Sequence, residues 1–216
     1  MHKTVDNLKL IENEYKDKKF SNIPQIIAVS KTFPIDKILP LIDYGHIHYG
    51  ENKLQEAVNK WSEVKRKYEK IKLHMVGSCQ TNKVKYLIPL FDYLHSLDNL
   101  KLAAKISNEQ VKKGKKLKIF IQVNIGSESQ KSGVEIKNLN NFYEECNKNL
   151  DLNIIGLMCI PPINKKSSEY FSKMQNLSEE IGLENLSMGM SDDYLEAAQY
   201  GSNFVRIGTK IFGKRF

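Results

Sequence analysis

The chain has 216 residues, 41% of them hydrophobic and 27% charged, and its 33 Lys and Arg against 25 Asp and Glu give a net charge of +8. That length can build one domain with a real core, the apolar fraction excludes a disordered chain, and no apolar run approaches the ~20 residues needed to cross a bilayer. Residues 1–20 are polar and charged, which excludes a secretory signal and points to a cytoplasmic protein.

In chain order, the first β-branched apolar run is Ile26–Ser30, followed by a helical stripe of Ile35, Ile38, Leu39 and Ile42. Ile47–Tyr49 comes next, with a second stripe of Leu54, Val58, Trp61, Val64 and Tyr68. The runs Leu73–Val76 and Tyr93–Leu97 precede a helix marked by Leu100, Ala103, Ala104, Ile106 and Val111. Ile119–Ile125, Ile154–Ile160, a stripe of Phe171, Met174, Leu177 and Ile181, then Leu186–Met190 and Phe204–Ile207 complete the series. Runs apolar at nearly every position fit parallel strands buried on both faces, and alternation with helices means a parallel α/β fold. About eight units of roughly 27 residues predict a single (β/α)8 TIM barrel spanning 1–216. An open doubly wound sheet is the alternative, since closure leaves no trace in periodicity.

The net charge invites a nucleic-acid reading, but its make-up argues otherwise. Only Arg66, Arg206 and Arg215 are arginines, and the lysines are interleaved with glutamates, as over Lys9-Leu10-Ile11-Glu12. Phosphate and base readers rely on the planar arginine fork and on clustered basic stripes. The densest run, Lys112-Lys113-Gly114-Lys115-Lys116, reads as a helix end followed by a turn. No nucleic acid and no membrane are expected as partners. Cys79, Cys146 and Cys159 are an odd number with no CxxC pair, so no disulfide framework or zinc knuckle is indicated.

Barrel sites lie at the C-terminal ends of the strands. Lys31 follows Ile26-Ile27-Ala28-Val29-Ser30 at that end, whereas Lys72 and Lys118 stand at strand beginnings. An ammonium in such an apolar setting is disfavoured, so the free amine can attack a carbonyl; the plainer reading is a lysine reaching out from a strand end. Ser191, Gly208 and Thr209 lie after strands seven and eight, where barrels often seat a phosphate, and Arg206 stands beside them. Gly208 permits close backbone approach, the hydroxyls donate, and Lys210-Ile211-Phe212 can open a short helix; an ordinary turn is again the alternative. Together these describe a phosphorylated carbonyl compound: pyridoxal 5′-phosphate (PLP) or a sugar-phosphate aldolase substrate.

Smaller signals accompany these. His46 and His48 share a strand face without a third metal ligand in evidence. Asp192-Asp193 suits the amino end of a following helix, Cys79 lies near the third strand's site end, and Met158, Met188 and Met190 read as core or pocket lining.

Eight strings carry a resemblance. They begin with Ala28-Val29-Ser30-Lys31-Thr32, Tyr49-Gly50-Glu51-Asn52-Lys53-Leu54-Gln55-Glu56 and His74-Met75-Val76-Gly77-Ser78-Cys79-Gln80-Thr81-Asn82-Lys83. His95-Ser96-Leu97-Asp98, Lys131-Ser132-Gly133 and Gly156-Leu157-Met158 follow. Ser187-Met188-Gly189-Met190-Ser191-Asp192-Asp193 and Phe204-Val205-Arg206-Ile207-Gly208-Thr209-Lys210-Ile211-Phe212-Gly213 complete the set. In this order they resemble the YggS/PROSC family of PLP-binding homeostasis proteins over nearly the whole chain. Gly77-Ser78-Cys79-Gln80 departs from the family's common Gly-x-Leu-Gln string. The resemblance implies a barrel like the alanine racemase N-terminal domain, without that enzyme's C-terminal domain. It implies Lys31 as the Schiff-base anchor, Ser191, Gly208 and Thr209 on the phosphate, Arg206 facing the pyridine nitrogen, Asn52 near the ring, His74 lining it, and Lys131 approaching the ring hydroxyl.

Arg206 cannot accept a proton and so disfavours a pyridinium, which restrains carbanion chemistry. The expectation is therefore a PLP carrier without catalytic turnover, a monomer, with PLP-dependent apo-enzymes or amino acids as further partners. A PLP-dependent amino-acid racemase is the competing reading.

Overall fold

The computed structural model describes residues 2–214 apart from 19, 21, 129 and 164. Eight strands run β1 (Gln25–Val29), β2 (His48–Glu51), β3 (Lys72–Met75), β4 (Tyr93–Leu97), β5 (Lys118–Val123), β6 (Ile154–Cys159), β7 (Asn185–Ser187) and β8 (Phe204–Ile207). Each pairs in parallel with the next, and β8 returns to β1 with Ile27 opposite Arg206, so the sheet closes. The fold is a (β/α)8 barrel, and the open-sheet alternative is excluded by that last pairing.

The helices are α1 (Lys3–Lys18), α2 (Ile35–Tyr44), α3 (Leu54–Lys67), α4 (Val84–Leu90), α5 (Leu100–Lys113), α6 (Leu139–Glu144), α7 (Ser167–Ile181), α8 (Tyr194–Gln199) and α9 (Thr209–Phe212). α5 shows how local chemistry sets such boundaries. Asn99 accepts the Leu102 N–H at 2.8 Å at its start, and Gly114, at φ 61, ends it with its N–H on the Gln110 and Val111 carbonyls. The lysine-rich run is thus a helix end and a turn, as its composition suggests.

One apolar cluster fills the space between helices and barrel wall, with Trp61, Leu73, Ile106, Leu157 and Phe171 at its centre. A second, small one lies inside the barrel: Ile27, Val29, Tyr93, Phe120, Met158 and Phe204. Side chains alternate across each strand, so Ile27 and Val29 place the inward register of β1. Lys31, two residues on, continues that side into the mouth.

Candidate functional site

The barrel mouth holds a cavity of about 260 Å³ lined by Val29, Lys31, Asn52, Val76, Ile160, Met190, Ser191, Asp192, Arg206, Gly208 and Thr209. Six of the eight residues singled out from the sequence meet here. Lys31 and Asn52 come from the ends of β1 and β2, and Ser191, Arg206, Gly208 and Thr209 from those of β7 and β8.

Lys31 sits in a turn clamped from behind. Thr32 has φ 68, a left-handed conformation that is uncommon for a β-branched residue. Its N–H donates to Glu56 Oε1 at 2.6 Å, and Lys60 Nζ donates to the Ser30 carbonyl at 2.9 Å and to Glu56 Oε1 at 2.9 Å. Lys60 also reaches Glu51 Oε1 at 3.0 Å, where Ser30 Oγ (2.7 Å) and Trp61 Nε1 (2.9 Å) donate as well. Burial alone raises the Glu56 carboxyl, but the bonds from Lys60 and the Thr32 N–H outweigh it and leave it below the usual range. Both backbone neighbours of Lys31 are therefore held by α3.

At the opposite wall, Thr209 Oγ1 donates to Ser191 Oγ at 3.0 Å, and the Lys210 N–H lies 3.4 Å from the same oxygen. Gly189, at φ 93, turns the chain out of β7, and a Cβ there would stand 2.5 Å from Ala197 Cβ. Asp193 then accepts the Met190 N–H at 2.7 Å and the Ser167 hydroxyl at 2.9 Å, so it shapes the loop while Asp192 stays at the exposed rim.

Arg206 forms part of the floor. Its Nη1 donates to the Ser187 carbonyl (2.7 Å) and Oγ (2.9 Å), and its Nη2 to the Cys159 carbonyl (2.8 Å). Burial lowers its pKa, yet an arginine stays cationic. The Cys159 thiol beside it is pushed up to about 12 by burial and is inert at neutral pH.

Two expected residues lie elsewhere. His74 does not line the mouth cavity: it is fully buried inside the barrel, stacked on Tyr93 with ring centroids 4.1 Å apart. Its strand position, in register with Gly50, sets it one layer below Asn52. Lys131 belongs to a neighbouring cavity of about 580 Å³ that shares Asn52, Val76 and Ile160 with the first. There its Nζ pairs with Glu128 Oε2 at 2.6 Å and donates to the Pro161 carbonyl at 3.3 Å. Among the described residues no group of three or more His, Cys, Asp or Glu is placed to hold a metal, and His46 instead bonds the His48 carbonyl at 2.9 Å. Cys79 lies outside the mouth cavity, its thiol pushed up to about 11 by burial.

Sequence reasoning missed the Glu51–Glu56–Lys60 clamp and the buried partners of Arg206. Glu56 and Lys60 stand four apart on α3, a spacing that faces them together, but nothing distinguished them from other Lys–Glu pairs in this chain.

The family described as "Alanine racemase, N-terminal domain" matches residues 5–215. The Aquifex aeolicus pyridoxal phosphate homeostasis protein is 36% identical over 203 residues, which cover 90% of this chain and 88% of that protein. The solved structure of PipY from Synechococcus elongatus with PLP bound aligns at a TM-score of 0.87 with 27% identity, covering 97% of this chain and 100% of that one. Alanine racemase of Clostridium difficile aligns at a TM-score of 0.75 with 17% identity over 97% of this chain and 57% of its own, a likeness of fold.

Proposed function

From this chain's membership in the pyridoxal phosphate homeostasis protein family, built on the alanine racemase N-terminal domain, we propose that its barrel mouth holds pyridoxal 5′-phosphate with Lys31 as covalent anchor. The observation that carries this is the joint lining of one cavity by Lys31, by the Ser191–Thr209 hydroxyl pair with Gly208, and by Arg206. The donor set fits the ligand: a primary amine for an aldehyde, hydroxyls beside an open glycine for a phosphate, and a cationic donor for a ring nitrogen. A volume of about 260 Å³ suits one small ring and its phosphate, and lies just below the ~300–1,000 Å³ usual for small-molecule sites. When bound, PLP supplies an aldehyde that exchanges between amines. The protein's part is to hold the phosphate, orient the ring, and keep the Lys31 turn rigid through Glu56 and Lys60.

We read the role as carrying PLP within the cytoplasm for PLP-dependent apo-enzymes, with release to amino acids. Arg206 supports carriage over turnover. It offers a donor and no proton acceptor, so a bound ring nitrogen stays unprotonated and its electron-withdrawing power is limited. A racemase would also need a second acid or base across the ring. Among the described residues Asp192 is the one carboxylate lining the cavity, and it lies at the exposed rim.

The test is spectroscopic. Protein purified with PLP should absorb in the visible, and borohydride followed by peptide mapping should place a pyridoxyl group on Lys31. Lys31→Ala should lose the visible band and keep weaker, phosphate-driven binding. A colourless loaded protein, or label at another lysine, refutes the reading, and rapid Lys31-dependent racemisation in a chiral assay would favour the racemase instead.

A further inference from the structure

A continuous run of hydrogen bonds crosses the barrel interior. His48 Nδ1 lies 2.9 Å from His74 Nε2, His74 Nδ1 2.9 Å from His95 Nε2, and His95 Nδ1 2.9 Å from Ser187 Oγ, which Arg206 Nη1 also reaches at 2.9 Å. His74, His95 and Ser187 are fully buried, and His48 and Arg206 nearly so. Both ring nitrogens of His74 and of His95 have a partner. Stacking of His74 on Tyr93 and of His95 on Phe120, with centroids 4.5 Å apart in the second pair, holds the ring planes.

Heavy-atom positions leave the proton on each bond open, but the chain's chemistry does not. A guanidinium only donates, so Ser187 Oγ accepts from Arg206. The serine's own hydroxyl proton then has one acceptor within reach among the described residues, His95 Nδ1. The reverse order would bury that proton with no partner, which folded proteins avoid. With Nδ1 accepting, a neutral His95 carries its proton on Nε2 and donates to His74 Nδ1, and His74 in turn donates from Nε2 to His48 Nδ1. A charged imidazole is disfavoured throughout. Burial pushes His74 and His95 well below the usual range, with Arg206 beside His95, and His48 falls to about 4 through burial and the neighbouring Lys72 and Lys118, against Asp92.

We propose that Arg206 sets a single proton order along His95, His74 and His48, all three neutral with the proton on Nε2, and that Ser187 and His95 in return are positioning residues for Arg206. The run is no proton wire. Arg206, at its end, can neither take nor release a proton, so reversing the order would strand the serine hydroxyl. What it provides is orientation: Nη1 and Nη2 are fixed by Ser187 and the Cys159 carbonyl, Nε bonds no acceptor among the described residues, and the side chain lines the cavity. The proton order stands independently of the ligand; the consequence for binding rests on the PLP reading.

Two measurements decide it. Nitrogen-15 NMR of histidine-labelled, ligand-free protein at neutral pH should show His48, His74 and His95 as neutral Nε2–H tautomers, and an Nδ1–H tautomer or an imidazolium at any of the three overturns the proton order. The second measurement compares His95→Asn with His95→Phe for PLP dissociation and visible band. Asparagine keeps an acceptor for Ser187 but loses ring volume, while phenylalanine keeps the volume and stacking but no acceptor. The positioning role predicts that Phe weakens PLP about tenfold, as expected when a buried charge-linked bond is lost, and that Asn recovers most of it. The opposite ranking would mean that His95 only packs. If the wild-type protein does not bind PLP, the proposed function fails while the NMR result still decides the proton order.

Discussion

Lys60 joins three acceptors, the Ser30 carbonyl, Glu51 and Glu56, so one side chain ties the end of β1 to the end of β2 and to α3. Glu51 is fully buried, and a buried carboxylate is tolerable only while its cation and donors remain. Lys60→Met should therefore destabilise the protein by ~3–5 kcal/mol, because it strands that charge. Adding Glu51→Gln should recover much of the loss, since Ser30 and Trp61 can still donate to the amide oxygen. Urea titrations of the wild type, both single variants and the double variant form the cycle. A Lys60→Met variant within ~1 kcal/mol of wild type would show that this contact acts as an ordinary surface pair. At this scale the sequence was informative where position alone mattered. Lys31 stood out because it follows an apolar strand, and Ser191 and Thr209 because they end the last two strands. His95 and Ser187 gave no such signal, because a polar residue inside a barrel looks, in sequence, like a break in an apolar run. His74 was noticed through resemblance rather than register, and its register places it a layer below the cavity.

The elements divide along a similar line. Strands buried on both faces announce themselves as apolar runs, so all eight were legible and β4 and β8 kept their predicted ends. β7 stops at Ser187, short of Met190, because Gly189 at φ 93 leaves the extended conformation and the loop must turn toward Ser191. Helix α1 was not anticipated. Its buried stripe of Val5, Leu8, Ile11 and Tyr15 is one residue wide and surrounded by charge, which reads locally as a solvated segment. In the fold it straps the barrel near the Ser191–Thr209 wall, with Asn7 Nδ2 donating to the Ile211 carbonyl at 2.9 Å and Glu14 pairing with Lys210 at 3.2 Å. Two leucines on this helix test that docking. Leu8 is fully buried and Leu10 is 61% exposed. Leu8→Ala should cost ~2–5 kcal/mol in urea unfolding, while Leu10→Ala should stay within about 0.5 kcal/mol. Equal effects would mean that the helix does not dock through this stripe.

Over the whole molecule, the +8 charge is carried mostly by lysines on the outer helices and loops, while among the described residues the barrel interior keeps one buried cation, Arg206, beside the histidine run. No helix among the described residues is long and apolar enough to cross a membrane. The buried histidines give the fold a specific acid response. An unfolded histidine titrates near pH 6.5, whereas His48 in the fold does so at about 4 and His74 and His95 well below 6.5. Between those limits the unfolded chain binds protons that the native state refuses, so stability is complete above about pH 6.5 and falls as pH drops. Each such group costs about 1.4 kcal/mol over the two units between pH ~7.5 and ~5.5, so these three together should remove about 4 kcal/mol. His46, held at about 4 by burial, acts in the same direction. Glu56, which sits below the usual carboxylate range, begins to contribute only in more acidic solution, so this window belongs to the histidines. Urea midpoints of ligand-free protein at the two pH values give the measurement, and His95→Asn, with one titrating ring fewer, should shrink the difference by about a quarter to a third. A midpoint that does not move between the two would mean that the histidine rings take up protons in the native state as easily as in the unfolded chain, and the interior would then be far wetter than its packing implies.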